Sequence, residues 1–253
     1  MIISRVIPCL LLRNNGLVKT VKFKNSTYIG DPINAVKIFN EKEVDELIFL
    51  DIDASTEKKE PPFNLLKNIA SECFMPLCYG GGISNIDQIS QILKCGVEKV
   101  AINSYAVKNP EFIKKAAEVF GSSTIVVAID VKKNILGKYQ IYINGGKENS
   151  GKDPFEFARI AEQLGAGELF LNSIDRDGTM TGYDIELLNK LSHSVKVPVI
   201  ACGGAGNINH MREAIQNGAA AVSAGSFFVF QGKRRAVLIS YPTIEEIKHV
   251  FAK

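Results

Sequence analysis

The chain has 253 residues, of which 46% are hydrophobic and 23% are charged, a balance typical of a globular protein that buries a large core. Its 30 Lys and Arg and 27 Asp and Glu give a net charge of +3, too small to predict a nucleic-acid-binding protein. No apolar run approaches the roughly 18 residues of a membrane helix, so we expect no membrane segment.

The amino-terminal segment, residues 1–12, is apolar but contains Arg5 and Pro8. It has neither a preceding basic region nor a cleavage site of small residues, so we interpret it as a first strand and not as a signal peptide. The five cysteines show no CxxC spacing and mostly lie in or beside apolar runs. This pattern predicts buried free thiols in a reducing cytoplasm, and we expect no metal site and no cofactor.

Short apolar runs alternate with longer amphipathic runs along the whole chain. The predicted strands are, in order, RVIPCLLL, ELIFLDI, MPLCY, KVAIN, TIVVAID, ELFLNSI, VPVIAC and AAVSAG. The predicted helices that follow them are PINAVKIFNEK, PFNLLKNIASE, NIDQISQILKC, PEFIKKAAEVF, PFEFARIAEQL, IELLNKLSHS, INHMREAIQN and TIEEIKHVF. Eight strand–helix units with nearly all-apolar strands predict a parallel sheet covered on both faces.

The two halves of the chain resemble each other. PLCYGGGISNID begins at Pro76 and PVIACGGAGNIN begins at Pro198, which is 122 residues later. DELIFLDID and GELFLNSID share this offset, as do KVAINS and AVSAGS. Because four units occur twice, in residues 1–120 and 121–253, we predict one domain over residues 1–253, an α/β protein with a single (β/α)8 TIM barrel. An open doubly wound sheet is the alternative.

Glycines and small polar residues follow the predicted strands at matched positions of the repeat. In barrels the loops after the strands gather at the carboxyl-terminal mouth, and glycine lets backbone N–H groups approach an anion. Each half is therefore predicted to hold one phosphate group, with turn formation as the alternative role. The candidate residues are Gly80–Gly82, Asn103 and Ser104 in the first half and Gly203, Gly204, Gly225 and Ser226 in the second.

Carboxylates end two of the predicted strands. Asp130 closes the fifth strand and Asp51 the second, and a carboxylate at the top of a barrel can serve as a general acid or base. We predict a catalytic role for Asp130, whereas Asp51 could equally orient a loop. Residues 175–179, which include Asp177, Gly178 and Thr179, follow the sixth strand and are suited both to turn formation and to ligand binding.

Four charged residues stand at or near the starts of predicted strands, at the opposite end of the barrel. They are Arg5, Glu46, Lys99 and Glu168. An isolated buried charge is very costly, but two cations and two anions that point inward can satisfy one another as a ring. A solvated surface patch is the alternative.

With these motifs in place, the chain resembles the HisF family, the cyclase subunits of imidazole glycerol phosphate synthase. The resemblance covers essentially the whole chain and rests on RVIPCL, GDP at 30–32, DELIFLDI, YGGGI, KVAINS, VVAIDVK, LGAGELFLNSIDRDGTMTGYD and IACGGAGN. It implies a barrel that receives ammonia from a glutaminase subunit docked at the amino-terminal face. It also implies that the ammonia is used at the other face on a doubly phosphorylated small molecule.

The resemblance also assigns roles to residues. It implies that the four charged residues at the strand starts form the gate through which ammonia enters the barrel. It implies that Lys19, on the family's mobile loop after the first strand, and Asp130 are catalytic. The positions that match the family's phosphate ligands are Gly82, Asn103, Ser104, Asp177, Gly178, Gly204 and Ser226.

The chain departs from the family pattern at one essential position. Where the family has IPCLD, this chain has Leu11, and leucine cannot transfer a proton. Asn172 replaces a threonine of the family and Cys202 a serine, and the segment after the eighth strand reads SFFVFQGKRRAVLISYP. These departures put cyclase activity in doubt and resemble a paralogous branch linked to amidination of surface sugars.

That branch implies a barrel that supplies ammonia to a third protein, a sugar amidotransferase that makes acetamidino sugars. The predicted function is therefore a HisF-like subunit that channels ammonia from a glutaminase partner. An active imidazole glycerol phosphate synthase cyclase of histidine biosynthesis is the first alternative. A non-catalytic scaffold that activates a glutaminase is the second, although such a scaffold would not need phosphate-binding loops.

Overall fold

A computed structural model of the chain describes residues 4–232 and 234–251. Its strands are β1 (Arg5–Arg13), β2 (Gly16–Val21), β3 (Lys24–Gly30), β4 (Leu47–Asp51), β5 (Leu77–Gly80), β6 (Lys99–Ile102), β7 (Ile125–Lys133), β8 (Tyr139–Ile143), β9 (Glu148–Asn149), β10 (Glu168–Ser173), β11 (Val199–Cys202), β12 (Ala221–Ala224), β13 (Phe230–Gln231) and β14 (Ala236–Val237). The first three residues of the expected first strand lie outside the described residues.

The α-helices are α1 (Pro32–Glu41), α2 (Ala54–Glu57), α3 (Phe63–Glu72), α4 (Ile86–Lys94), α5 (Ser104–Lys108), α6 (Glu111–Phe120), α7 (Pro154–Gln163), α8 (Ile185–Ser192), α9 (Ile208–Gln216), α10 (Ser226–Val229) and α11 (Ile244–Phe251). A 3-10 turn at Ser122–Thr124 precedes β7. Several helices begin at a side-chain cap; for example, Asp31 accepts a hydrogen bond from the Asn34 amide and Asp153 from the amides of Phe155 and Glu156.

Eight parallel strands close into a barrel. The order around it is β1, β4, β5, β6, β7, β10, β11 and β12, and β12 pairs again with β1. Each of these strands is followed by a helix that packs outside the ring. The predicted TIM barrel is therefore confirmed, and the open sheet is excluded because β12 closes onto β1.

The repeat seen in the sequence is also present in the structure. β5 and β11 begin at Leu77 and Val199, and β6 and β12 begin at Lys99 and Ala221, so both pairs keep the offset of 122 residues. The eight predicted strands and eight predicted helices all correspond to elements of the barrel.

The apolar residues of the strands divide between two cores because successive side chains point to opposite faces. One core packs between the strands and the helices. The other fills the interior of the barrel with small and medium side chains and is capped by the half-buried Leu11 and Leu50. The interior residues are Ile7, Cys9, Ile48, Cys78, Ala101, Val126, Ala128, Phe170, Ile200, Cys202 and Ala221.

Antiparallel strand pairs extend beyond the eight units and were not predicted from the sequence; besides β8 with β9 and β13 with β14, they form two hairpins at the mouth. β2 and β3 pair antiparallel after β1, and β8 folds back antiparallel on the long β7. Both hairpins belong to loops at the carboxyl-terminal mouth, so they lie above the interior of the barrel.

All five cysteines are free thiols; Cys9, Cys78 and Cys202 are buried, whereas Cys73 and Cys95 are only half-buried. The prediction of buried thiols is thus confirmed for the first three cysteines and wrong for Cys73 and Cys95, which lie in the helical layer. Within the described residues, none of the helices combines the length and apolar character that crossing a bilayer requires.

Candidate functional site

A cavity of about 710 Å³ opens at the carboxyl-terminal mouth of the barrel. Its walls come from the ends of all eight barrel strands and from the β2–β3 hairpin. Most of the candidate residues lie here; those that line it are Leu11, Lys19, Asp51, Gly82, Asn103, Ser104, Asp130, Asp177, Gly178, Gly204, Gly225 and Ser226. The sequence analysis therefore brought together residues that the fold places around one space.

The first predicted phosphate station combines a glycine turn with the start of α5. Gly82 has φ +69°, and a Cβ there would lie 2.6 Å from the carbonyl oxygen of Lys59. Ser104 accepts a hydrogen bond of 2.9 Å from the Asn144 amide, and its hydroxyl contacts Asn103 Oδ1 at 3.1 Å. Glycine is thus required sterically here, and the bare backbone leaves N–H groups accessible from the cavity.

The second station repeats this arrangement in the other half. Gly204 has φ +116°, and a Cβ there would collide with the Gly182 carbonyl oxygen. A Cβ at Gly225 would collide with the Lys19 ammonium, so the absence of a side chain makes room for the lysine. Thr179 does not line the cavity; its hydroxyl donates to the Arg176 carbonyl at 2.7 Å and stabilises the turn.

Asp51 lines the cavity, but its carboxylate is already engaged by its own loop. Oδ1 accepts hydrogen bonds of 3.1 Å from the amides of Asp53 and Ala54, at the start of α2. Burial raises the pKa of Asp51, although these two hydrogen bonds oppose the rise. The sequence left open whether Asp51 is a general acid or base or orients a loop, and the geometry favours the loop-orienting role.

Asp130 lies part-buried in the cavity wall at the end of β7, and its carboxylate contacts amides instead of cations. Asn103 Nδ2 donates to its Oδ2 at 3.2 Å, and Asn172 Nδ2 to its Oδ1 at 3.3 Å. Burial raises the pKa of Asp130 to about 7, and the charge of Asp177 adds to the rise against the Asn172 hydrogen bond. A carboxyl group with a pKa near neutrality can both accept and donate a proton.

No second carboxylate occupies the position across the cavity where the resemblance places one. Leu11 lies there on β1 and packs against the barrel interior together with Leu50. An aliphatic side chain offers neither a proton nor an acceptor, so position 11 cannot pair with Asp130 in acid–base chemistry.

Lys19 lies on β2, and this residue of the hairpin is 4% exposed. Its ammonium donates to the Cys9 carbonyl inside the barrel mouth. Burial lowers the pKa of Lys19, and the neighbouring Asp177 carboxylate opposes this effect. Thr20 donates to Asp177 at 3.0 Å, so the loop after β1 forms a hairpin that covers the mouth and inserts a cation into it.

The four charged residues at the strand starts meet as a ring at the opposite end of the barrel. Arg5 forms salt bridges to both Glu46 and Glu168, and Lys99 Nζ lies 3.2 Å from Glu46 and 2.9 Å from Glu168. The Glu46 side chain is 2% exposed and that of Lys99 is 19% exposed, which is too little for a solvated surface patch. Burial lowers the pKa of Lys99, but the two glutamates outweigh it and the net pKa is raised.

Sequence reasoning noted Asn172 only as a departure from the family pattern and missed its contact with Asp130. Its Oδ1 is the one buried side-chain oxygen or nitrogen without a hydrogen-bond partner among the described residues. Inward alternation along β10, after Glu168 and Phe170, was the signal that could have placed it. No group of three His, Cys, Asp or Glu side chains that could hold a metal ion occurs within residues 4–232 and 234–251.

The sequence was compared with known families and curated proteins. The profile of a family described as "Histidine biosynthesis protein" matches residues 5–234. A Pseudomonas aeruginosa protein with the provisional name imidazole glycerol phosphate synthase subunit hisF2 is 51% identical over 248 residues, which cover 98% of this chain and 99% of that protein. A Vibrio vulnificus protein with the provisional name subunit hisF3 is 51% identical over 253 residues, or 98% of this chain and 96% of its own.

A third relative carries the subunit name without the provisional mark. It is the imidazole glycerol phosphate synthase subunit HisF of Alkaliphilus metalliredigens, which is 42% identical over 250 residues, or 98% of this chain and 97% of the relative. All three similarities extend over nearly the full length of both chains, so they include both ends of the barrel.

Proposed function

The chain belongs to the histidine biosynthesis protein family, and from this premise we propose that it is a HisF-like subunit that carries ammonia through its barrel. A glutaminase subunit docked at the amino-terminal face supplies the ammonia. The barrel delivers it at the cavity for an amidination reaction, in the biosynthesis of acetamidino sugars, where a sugar amidotransferase is the acceptor enzyme.

The observation that carries this proposal is the pairing of a complete charged ring with an incomplete acid–base pair. The ring of Arg5, Glu46, Lys99 and Glu168 encloses the start of the barrel, and apolar side chains line the interior above it. At the far end Asp130 faces Leu11 instead of a second carboxylate. A barrel that conducts ammonia needs the first feature, whereas a cyclase needs both.

The amino-terminal face offers a surface for the glutaminase. Phe74 lies there between α3 and β5, and its side chain is 85% exposed. Its backbone N–H donates a hydrogen bond of 3.2 Å to Asn40 Oδ1, at the end of α1. A large exposed aromatic side chain at the same end of the barrel as the charged ring is a suitable anchor for a protein interface.

The names of the relatives support a paralogous function. Two relatives at 51% identity are numbered hisF2 and hisF3, and two Leptospira relatives at 51% and 50% identity carry the provisional name HisF without a number. The relative named HisF without a provisional mark is 42% identical. The two numbered names fit a duplicated gene whose product took on a new acceptor.

The second candidate function is an active cyclase of histidine biosynthesis. One observation favours it, because Asp130 has a pKa of about 7 and both phosphate stations are intact at the cavity. A cyclase with a single carboxyl would have to use Asp130, or Lys19 on the hairpin, for both proton transfers.

The deciding experiment is cyclase turnover by the purified chain with excess ammonium and the doubly phosphorylated ribulosyl substrate of the histidine pathway. External ammonium makes the glutaminase unnecessary, so the assay reports on the barrel alone. We expect an inert wild type and measurable turnover by Leu11→Asp. Wild-type turnover on the order of 1 per second or faster would contradict the proposal and establish the cyclase.

A further inference from the structure

We propose that the carboxyl-terminal face of the barrel is a docking surface for an acidic protein, the enzyme that takes up the ammonia at the cavity. The inference rests on the proposed function and adds the surface and the chemistry of the partner. The surface, called here the mouth face, consists of the exposed parts of residues 14–30, 131–143 and 230–238. These segments are the β2–β3 hairpin, the β7–β8 hairpin and the segment around β13 and β14.

The mouth face concentrates exposed apolar side chains. Eight large hydrophobic residues are exposed in the described part of the chain, and five of them lie on these three segments: Tyr28, Ile135, Leu136, Val237 and Leu238. Ile135 and Leu136, at the tip of the β7–β8 hairpin, are 102% and 78% exposed. Adjacent aliphatic side chains that protrude fully into water contribute nothing to the core of this chain, and they are suited to a pocket on a partner.

The same three segments have a one-sided charge. They contain nine Lys and Arg residues and no Asp or Glu, although the whole chain has 27 acidic residues. Within the described residues, Lys22, Lys24, Lys138 and Arg234 form none of the salt bridges of the chain. Unpaired cations around apolar side chains complement an acidic surface with an apolar centre.

The three segments form one connected surface because each is hydrogen-bonded to the loop after β10. The Lys22 amide donates to the Asp177 carbonyl at 2.9 Å, and the Lys133 amide donates to Asp175 Oδ2 at 3.0 Å. Arg235 donates to the Gly178 carbonyl at 2.8 Å and lies over the Phe230 ring. The apolar and basic groups are thus held around the opening of the cavity and are not scattered over the barrel.

A second copy of this chain does not fit the mouth face, because the exposed cations Lys22, Lys24 and Arg234, which form none of the salt bridges of the described residues, would repel the same cations of the other copy. An anionic lipid surface shares the charge preference, but the mouth face surrounds an open polar cavity. A lipid surface over that cavity would leave its polar wall without a partner and its ammonia without an acceptor. An acidic enzyme whose own active site meets the cavity satisfies both requirements.

The first test is crosslinking of the intact chain in its source cells. A photoreactive phenylalanine analogue is placed at Leu136 and, as a matched control, at Val119, which is 60% exposed on α6. We expect a covalent adduct to one protein at position 136 and none to that protein at position 119. An identical pattern at both positions, or no adduct at position 136, would overturn the docking surface.

The second test measures affinity for the crosslinked protein after its purification. We expect the double variant Ile135→Ser, Leu136→Ser and the variant Arg234→Glu each to bind at least tenfold more weakly than wild type, and wild-type binding to weaken with added salt. The control Val119→Ser should bind as wild type does. Equal affinities for all variants, or binding of the chain to phosphatidylglycerol vesicles in place of the protein, would overturn the proposal.

A third measurement separates this inference from the proposed function. The complex of glutaminase, barrel and crosslinked protein is given glutamine with a 15N amide, and 15N in the product is measured. Incorporation that falls in the Ile135→Ser, Leu136→Ser variant supports both statements. Docking without any incorporation removes ammonia delivery but leaves the docking surface, whereas full incorporation by a variant that no longer docks removes the surface.

Discussion

Asp130 is a part-buried carboxyl group in the cavity wall, and no cation lies within hydrogen-bonding distance of it among the described residues. Its two hydrogen-bond donors, Asn103 and Asn172, are neutral amides, which cannot offset the loss of hydration around a negative charge. The group therefore stays protonated to a higher pH in the folded chain than in the unfolded one. Below the unfolded pKa the folded state keeps this advantage, and the stability is lost as the pH rises through the folded pKa.

This sign gives a test of the part-buried carboxyl. Asp130→Asn keeps the size of the side chain and removes the charge, so we expect the variant to gain stability over wild type as the pH rises from 4 to 7. The gain should reach up to about 4 kcal/mol and stay constant above that range. Urea denaturation at each pH measures it, with Glu118→Gln on the exposed side of α6 as the control. If the gain in stability were independent of pH, the folded chain would not raise the pKa of this carboxyl group.

Two glycines with positive φ allow the cost of backbone strain in a Gly→Ala change to be measured separately from the cost of a steric collision. Gly204→Ala would bring a Cβ against the Gly182 carbonyl oxygen, whereas nothing lies within 4 Å of a Cβ at Gly30. Since both positions have φ above +100°, the matched pair differs mainly in the collision. We expect Gly204→Ala to lose about 2 kcal/mol more than Gly30→Ala in urea denaturation. Equal losses would mean that the loop moves aside without cost.

At the residue scale the sequence predicted which side chains meet but not how they meet. Repeat positions and strand ends were enough to bring the phosphate-station residues and Asp130 to one cavity. The role of Asp51 could not be decided, because its engagement by the amides of Asp53 and Ala54 depends on the local path of the backbone. Alternation along β10 could have placed Asn172 on the inward face, but its partner Asp130 lies on another strand, and the register between the two strands cannot be read from one sequence.

The charged ring connects the amino-terminal ends of four barrel strands through salt bridges. Glu46 has both Arg5 and Lys99 as partners, so removal of one cation leaves it partly compensated. We expect Lys99→Ala to lose on the order of 1–3 kcal/mol of stability, less than the loss of a sole partner would cost. Urea denaturation measures this loss against Lys94→Ala, an exposed lysine at the end of α4.

The same variant tests the gate. If the ring controls the entrance for ammonia, Lys99→Ala should hydrolyse glutamine in the complex with the glutaminase without matching product formation. Lys94→Ala should keep the two in step. A Lys99→Ala complex that still forms one product per glutamine would show that the ring is structural only.

The hairpins at the mouth mark the limit of prediction from periodicity. Strand and helix runs were recognised because a buried face repeats every two or about 3.6 residues. The turn between β2 and β3 uses Lys22 and Phe23 at φ +53° and +61°, residues that seldom take this conformation, so their types gave no turn signal. Asn14 and Asn15 before β2 were a usable signal, since asparagine tolerates positive φ in hairpin turns.

At the scale of the whole molecule, a hydrogen bond connects the segment after β14 to the first strand, β1. Tyr241 follows β14, and its hydroxyl donates to the Val6 carbonyl on β1 at 2.8 Å. We expect Tyr241→Phe to lower the free energy of unfolding by about 1 kcal/mol, because the carbonyl loses a donor while the ring packing remains. Tyr105→Phe, whose hydroxyl has no hydrogen bond within the described residues, is the control. An unchanged Tyr241→Phe stability would mean that water replaces the hydroxyl.

The modest net charge of the chain conceals a separation between its ends. In sequence, the three segments that form the mouth face contain nine basic residues and no acidic ones, while the rest of the chain contains 21 basic and 27 acidic residues. A composition total could not reveal this, since it depends on which loops the closed barrel gathers at one end. The fold class, by contrast, followed from the order of the elements alone.

The loop of Asp175, Asp177 and Gly178 includes two predicted phosphate ligands, Asp177 and Gly178, and is hydrogen-bonded to all three segments of the mouth face. An anion that fixes the conformation of this loop and a protein that fixes the segments around it therefore stabilise the same stretch of backbone. Binding free energies that share such an element are reciprocal. If inorganic phosphate raises the affinity of the chain for the partner, the partner must raise its affinity for phosphate by the same factor. The binding of either molecule therefore reports on the binding of the other.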